Sequence, residues 1–227
     1  MSPRFPLLSA ALLLVLSSTI AQAQTIAVPR QFAWQPLTAT AEDAARQALA
    51  ATKSPAPAVL FKKDRGPHPG TFALFWPVGN TAPGPAATQY QLVGNAGNAP
   101  ALDLLGIHYI KVRPDRSADF EKFVAAKLNP AVANLRPDLR LLYYKATSGP
   151  DAGSYITIFG VTKASRDKYW PKGQDSDDLK AAFTPPVKAL ATELQTYLVD
   201  GTWGTGMTAQ VYEAKDWADW IIVDTAR

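Results

Sequence analysis

Apolar and polar side chains alternate most clearly in the second half of the chain. Gly106 to Pro114 (GIHYIKVRP) keeps period two and closes on proline, which predicts a short strand. From Asp119 to Leu135 the period changes. Phe120, Phe123, Val124, Leu128, Val132 and Leu135 recur at spacings of three and four, one face of a helix, with Ser117 placed to cap it and Asp119 and Glu121 to complement its dipole. Pro130 lies inside that pattern and predicts a kink or break near Asn129, because proline has no N–H to donate and its ring crowds the preceding turn. Leu139 to Val161 holds two β-rich runs around the turn Ser148-Gly149-Pro150-Asp151-Ala152-Gly153. A second helical stretch starts near Ser176 and is interrupted at Pro185-Pro186. It carries Val187, Leu190, Ala191, Leu194 and Leu198 on one side and ends at Gly201. Thr208 to Tyr212 and Trp220 to Val223 compete for the last strand, and the second is preferred.

Strand, helix, strand, strand, helix, strand is the order of a ferredoxin-like split β-α-β unit in an α+β protein. That scaffold hosts many unrelated functions, so it predicts a shape and not an activity. Residues 24 to 101 have a different texture and predict a smaller, irregular α/β part. Thr40-Ala41-Glu42-Asp43 leads into a short helix from Ala44 to Thr52, and Ala58 to Lys63 and Thr71 to Val78 read as strands around Gly66-Pro67-His68-Pro69-Gly70. A Pro/Gly/Ala/Asn-rich connector follows to Pro100, with Tyr90 to Val93 its one short strand. No second helix is legible there, so a full repeat of the later unit is not expected. The divisions are residues 1–23, 24–101 and 102–227.

Helices need an apolar surface to pack on. The even positions Ile110 and Val112 of one strand, and Ile156 and Ile158 of another, are therefore assigned to the helix side. Tyr109, Lys111, Tyr155 and Thr157 fall on the opposite face, whose mixture of rings and polar tips suits a pocket or a partner sheet.

Tyr109-Ile110-Lys111-Val112-Arg113-Pro114-Asp115-Arg116, followed by Asp119-Phe120, resembles the first strand, turn and helix anchor of dimeric α+β-barrel proteins. The likeness is to the NIPSNAP-like and antibiotic-biosynthesis-monooxygenase-like branches and covers residues 106–224. It implies two ferredoxin-like sheets paired into a barrel that holds a small ligand, and hence a homodimer. The prolines inside both helices and the N-terminal extension depart from that pattern, and no active-site residue carries over.

The N-terminus suggests the compartment. Arg4, the apolar run Leu7 to Ile20 and the small-x-small site Ala21-Gln22-Ala23 form a secretory signal peptide, too short to span a membrane. Cleavage after Ala23 leaves Gln24 first, no membrane anchor, and a periplasmic or secreted protein. The sequence has no Cys, which excludes disulfides, thiol nucleophiles and thiolate metal sites. A mature chain of this length buries a core without them. Formal charge is only +4, with the excess concentrated around Lys62-Lys63-Asp64-Arg65. That run reads as a solvated hairpin end, so nucleic acid is not an expected partner.

Candidate chemistry is sparse. His68 lies between two prolines in a turn and reads as a surface residue. His108 sits on a strand among apolar neighbours and reads as a hydrogen-bonded core residue, with a general base or a haem ligand as the functional alternatives. Haem is the one cofactor considered, and no metal site is expected. Asp175-Ser176-Asp177-Asp178 lacks the glycine and distal glutamate of a calcium loop, and its charge suits a helix N-terminus. Gly201 to Gly206 follows a helix and precedes no Lys-Ser/Thr, unlike a phosphate loop. Of the six tryptophans, Trp170 is expected to be the most exposed. The leading reading is an exported barrel that binds a small apolar or aromatic ligand through Tyr109, Lys111, Tyr155, Thr157 and His108. The alternatives are a cofactor-independent monooxygenase acting on an aromatic or quinone-like substrate, and a structural interaction module.

Overall fold

A computed structural model describes residues 29–52, 57–66, 68–78, 86–96, 104–135, 140–161, 163–171, 176–182, 184–199 and 217–225. Residues 1–23, read from the sequence as a signal peptide, and the segments 201–206 and 208–212 lie outside them. Among the described residues there are eight strands: β1 (Gln31–Pro36), β2 (Val59–Arg65), β3 (Phe72–Pro77), β4 (Thr88–Ala96), β5 (Leu104–Ile110), β6 (Arg140–Ser148), β7 (Tyr155–Val161) and β8 (Trp217–Thr225). They close into one barrel in the order β1-β3-β2-β8-β5-β7-β6-β4, every pair antiparallel. Among the described strands, closure leaves no edge unpaired.

The second half has the expected ferredoxin-like order, and β8 lies over the preferred last-strand segment. The first half is more regular than its composition suggests. Around the helix α1 (Glu42–Ala51) it supplies four strands, and β4 runs the length of the barrel where the sequence marks only a short strand in a connector. The sheet that closes the barrel over the Tyr109 face therefore comes from this same chain. The seams are β2–β8 and β1–β4, both absent from local pattern because they join residues far apart in sequence.

Helix α2 (Ser117–Phe123) continues through a π-helical stretch, Val124–Leu128, into α3 (Asn129–Leu135). Pro130 does not break it. The wide turn ahead of it, in which the Asn129 N–H donates to the Val124 carbonyl five residues back, takes up the mismatch that the missing donor creates. Phe120, Phe123, Val124, Leu128 and Val132 bury their face against β5, β6 and β7 through Leu104, Ile110, Leu141, Tyr143 and Tyr155. Gly94 on β4 admits this helix. A Cβ there would stand 2.5 Å from Val124 Cγ1 and 3.0 Å from Asn129 Nδ2.

A helix that the sequence pattern does not mark, α4 (Lys163–Tyr169), comes first; the second helical stretch itself is divided between α5 (Asp177–Ala182) and α6 (Pro185–Gln195), with Ser176 Oγ accepting from the Leu179 N–H at 3.2 Å as the cap of α5. Trp170, just after α4, is half-buried against the helix-side core. Its apolar area is worth more on that core than in water.

Strand register decides which side chains enter the barrel. Directly opposed residues of an antiparallel pair share a face. On β5 and β7 the pairs are Ile107 with Ile158, His108 with Thr157, Tyr109 with Ile156 and Ile110 with Tyr155. Ile107, Tyr109, Ile156 and Ile158 consequently face the barrel interior, and Ile110, Val112 and Tyr155 face the helices. The β5 assignment matches the sequence reading. The β7 assignment is reversed: Ile156 and Ile158 point inward, Tyr155 and Thr157 outward. Apolar demand cannot distinguish the faces, because in a closed barrel with helices outside both are buried.

Candidate functional site

The interior is lined by rings. Phe32 packs on Phe75 at 4.8 Å, on Tyr90 at 5.2 Å and on Tyr144 at 4.8 Å between ring centroids. Trp34 meets Trp220 edge to face at 4.9 Å. The two ends differ. At the end where β5 and β6 finish and β7 and β8 begin, interior positions are Ala73, Ala146 and Ala218, alternating with Trp34, Tyr90, Tyr109 and Trp220. Short side chains thus alternate with large flat ones around this end. We refer to this end as the Tyr109 mouth.

Polar groups converge there. Asp151, on the turn between β6 and β7, accepts from Thr88 Oγ1 at 3.0 Å and from the Tyr90 hydroxyl at 3.3 Å. Gly149 makes this contact possible. Its φ of +90° and its approach to Thr88, where a Cβ would stand 2.7 Å from Cα, admit only glycine. Burial pushes the Tyr109 phenol up to about 12, and the Asp151 charge adds to the effect. Burial raises Tyr90 further, with Tyr109 and Asp151 reinforcing it. Lys63 Nζ lies over the Trp220 ring, 5.1 Å from its centroid, and desolvation lowers its pKa. Three buried polar atoms at this end have no hydrogen-bond partner in the protein: Trp34 Nε1, Trp220 Nε1 and Ser154 Oγ. The Trp34 indole lies beside the Tyr109 phenol and slightly favours its ionised form, yet without the geometry of a hydrogen bond. Buried donors left unpaired cost about 1–3 kcal/mol each, so such a cluster needs an explanation.

Of the residues singled out in the sequence, the structure brings only Tyr109 into this mouth. Lys111 follows β5, its side chain exposed and its carbonyl accepting from the Val199 N–H at 2.8 Å. Thr157 and His108 are outside the barrel, 0% and 4% exposed, with Thr157 Oγ1 donating to the His108 carbonyl at 3.5 Å. Tyr155 is also outside. It donates to Glu121 at 2.6 Å, and Lys145 reaches the same oxygen at 2.8 Å. That arrangement anchors α2 to the sheet.

His108 is buried on the helix-facing side of β5 and His68 is exposed on the β2–β3 turn, so neither histidine lies at the Tyr109 mouth. Among the described residues no group of three His, Asp or Glu is placed to hold a metal ion.

Trp34, Tyr90, Asp151 and Trp220 are missed by sequence reasoning. Trp34 lies in a segment without helical periodicity, Tyr90 opens a short strand inside an apparent connector, and nothing in the turn Gly149–Gly153 announces that it folds back over a mouth. The charge run at the end of β2 is also more than a solvated tip. Lys63 covers Trp220, and Asp64 accepts from Arg166 of α4 at 2.7 Å. Arg166 is buried, with Asp219 Oδ2 at 3.5 Å and Asp167 Oδ1 at 3.0 Å, so this cluster holds α4 on the outer wall.

At the opposite end a cleft of about 570 Å³ is lined by Pro29, Arg30, Gln31, Pro77, Val78, Gln91 and Leu92. It is open, its arginine is exposed, and none of the unpartnered buried polar atoms line it. The Tyr109 mouth is the stronger candidate.

No protein-family model and no curated protein matches this sequence. Solved structures similar in fold are ferredoxin-fold proteins related to antibiotic biosynthesis monooxygenases. One, an uncharacterised ferredoxin-fold protein of Listeria monocytogenes, is 13% identical over 87% of this chain and 96% of its own, with a TM-score of 0.48. A heme-degrading enzyme of Listeria monocytogenes is 13% identical over 84% and 98%, with a TM-score of 0.45. A putative monooxygenase of Lactobacillus acidophilus is 10% identical over 86% and 95%, also at 0.45. Likenesses at this level carry no functional residue across.

Proposed function

We propose that this protein is an exported small-ligand-binding barrel whose ligand, apolar or aromatic, enters the Tyr109 mouth. The observation that carries the reading is the pair of buried, unpartnered indole N–H groups of Trp34 and Trp220 beside Tyr109. Flat rings supply the walls, and a few fixed polar groups supply orientation. Export rests on the N-terminal segment, with cleavage after Ala23.

A second reading is a cofactor-independent monooxygenase acting on an aromatic or quinone-like substrate. Asp151 favours it, as a carboxylate within hydrogen-bond reach of the groups that line the mouth and thus able to take a substrate proton.

Native mass spectra of the mature protein, with an absorption spectrum, test both. A retained small molecule that Tyr109→Ala loses supports the binding reading. Retention unaffected by Tyr109→Ala places the ligand elsewhere. A protein that retains nothing and takes up none of a panel of aromatic compounds sinks both readings and leaves the interaction module. Oxygen uptake with an aromatic substrate, abolished by Asp151→Asn, supports the enzyme. A first residue other than Gln24 overturns the cleavage site.

A further inference from the structure

The barrel repeats itself within the chain. Strands β4-β1-β3-β2 and β8-β5-β7-β6 lie side by side in the same order, and the two sets meet at the β2–β8 and β6–β4 seams. Their hairpins match in detail. Gly66-Pro67-His68-Pro69-Gly70 corresponds to Gly149-Pro150-Asp151-Ala152-Gly153, with φ of +104° and +86° at the glycines of the first and +90° and +86° at those of the second. Lys63 exchanges backbone hydrogen bonds with Thr71 and Gly70 at 2.8 and 2.9 Å, as Ala146 does with Ser154 and Gly153. Trp220 opposes Lys63 as Tyr90 opposes Ala146, and on their other sides Trp220 opposes Leu105 and Tyr90 opposes Phe32. One residue along, the pair Gln31–Gln91 of the first half therefore stands where the second half has Leu104–Ile221.

Leu104 is fully buried, and it and Ile221 belong to the apolar cluster that also holds Leu194 of α6. The β7–β8 connection supplies that helix. The β3–β4 connection, residues 78–87, supplies none among the described residues. At the corresponding place in the first half lies the cleft of about 570 Å³, within the range of roughly 300–1,000 Å³ common to small-molecule sites. Two amides stand here in place of two apolar side chains, so an apolar helix from a partner would leave them buried and unpaired. Backbone groups at its base are already satisfied. The Leu92 N–H donates to the Arg30 carbonyl at 2.8 Å, the Val78 N–H to the Gln31 carbonyl at 3.1 Å and the Tyr144 hydroxyl to the Pro29 carbonyl at 2.8 Å. What the cleft offers a ligand is therefore side chains. Among the described residues no carboxylate lines it or pairs with Arg30. We propose that this cleft is a second binding site, separate from the Tyr109 mouth, for a small carboxylate with a compact apolar body. The Arg30 guanidinium, a planar fork of donors, takes the carboxylate, the Gln31 and Gln91 amides orient it, and Pro29, Pro77 and Leu92 cover the apolar part.

Amide-resolved NMR titration of the mature protein tests this with two probes of one shape, cyclohexanecarboxylate and cyclohexanecarboxamide. The carboxylate should shift the backbone amides of Gln31, Gln91 and Leu92. It should bind about three- to fivefold more tightly than the carboxamide, the size of one solvent-reachable ion pair. Arg30→Gln should erase that preference. Arg30 is exposed, so the variant should fold, and circular dichroism checks it. Gln31→Leu with Gln91→Ile, which gives the first half the pair of the second, should weaken both probes by about threefold or more. Cleft binding unchanged in Tyr109→Ala supports two separate sites. Absence of shifts at the cleft amides, equal affinities for the two probes, or a preference that survives Arg30→Gln overturns the proposal. So does a carboxylate that shifts amides at the Tyr109 mouth and is lost with Tyr109→Ala, a result that supports the mouth reading instead. Concentration-dependent broadening of the cleft amides without any probe assigns the cleft to a second copy of the chain and overturns the ligand.

Discussion

Gly149 rests on Thr88, with the turn between β6 and β7 pressed so close to β4 that a side chain at Gly149 has no room. That contact sets Asp151 over the barrel mouth, where Thr88 and Tyr90 donate to its carboxylate. Backbone conformation and packing demand the same residue here, because φ is +90°. Gly149→Ala should therefore cost roughly 2–4 kcal/mol of stability, more than either left-handed strain or a lost hydrogen bond alone. Urea unfolding measures it. A loss below about 1 kcal/mol would show that the turn moves freely and that Asp151 is not held in place.

Gly94 makes the same kind of prediction on the helix side. Alanine there meets Val124 and Asn129, and the Val124 side chain is fully buried and cannot swing away. Gly94→Ala should destabilise by roughly 1–3 kcal/mol, the range for overpacking. Gly70→Ala meets nothing within 4 Å and serves as the comparison, subject only to the strain of its φ of +86°.

Asp219 gives stability a pH dependence of unusual sign. Burial raises its pKa to about 7, while Arg166 and Arg65 pull in the opposite direction. The folded state then holds a proton that the unfolded chain releases near the ordinary aspartate value of about 4. Its contribution is complete below pH 4 and is lost as pH rises to about 7, by an amount on the order of 2–4 kcal/mol. Glu121 works the other way. Burial pushes its pKa up, but hydrogen bonds from Lys145 and Tyr155 outweigh that and bring it below the ordinary value, so its contribution is lost as pH falls. The difference between wild type and Asp219→Asn, measured by urea unfolding from pH 4 to 8, isolates the first effect. The wild type should lose stability relative to the variant across that range. Parallel curves would remove Asp219 from the account.

Tyr109 should remain a phenol well past the ordinary tyrosine range. Spectrophotometric titration of wild type against Tyr109→Phe should assign it a midpoint near 12. Asp151→Asn should lower that midpoint only in part, since burial is the larger cause and the Asp151 charge the smaller. A midpoint near 10 in the folded protein would mean that the mouth is open to water.

Much of the second half was legible from residue pattern because its signals are local. Period two in Gly106–Pro114, three-four spacing from Phe120 to Val132, and turn residues around Gly149 each report on neighbours in the chain, and the elements formed where they pointed. Pro130 was legible as a disturbance, though the helix met it with a wide turn instead of a break.

By itself the sequence determined an α+β chain with a ferredoxin-like second half, helices amphipathic on identifiable faces, and Tyr109 on the face away from them. Tertiary structure alone decided three things. It reversed the β7 assignment, because apolar residues line both faces of a closed, helix-covered sheet and only the pairing of Tyr109 with Ile156 and of Ile110 with Tyr155 distinguishes inside from outside. It closed the barrel within one chain, because the β1–β4 and β2–β8 seams join residues too distant for any periodicity to register. And it set Trp34, Trp220 and Asp151 at one mouth. No local pattern carries that arrangement, since each arrives on a different strand or turn and only closure makes them neighbours.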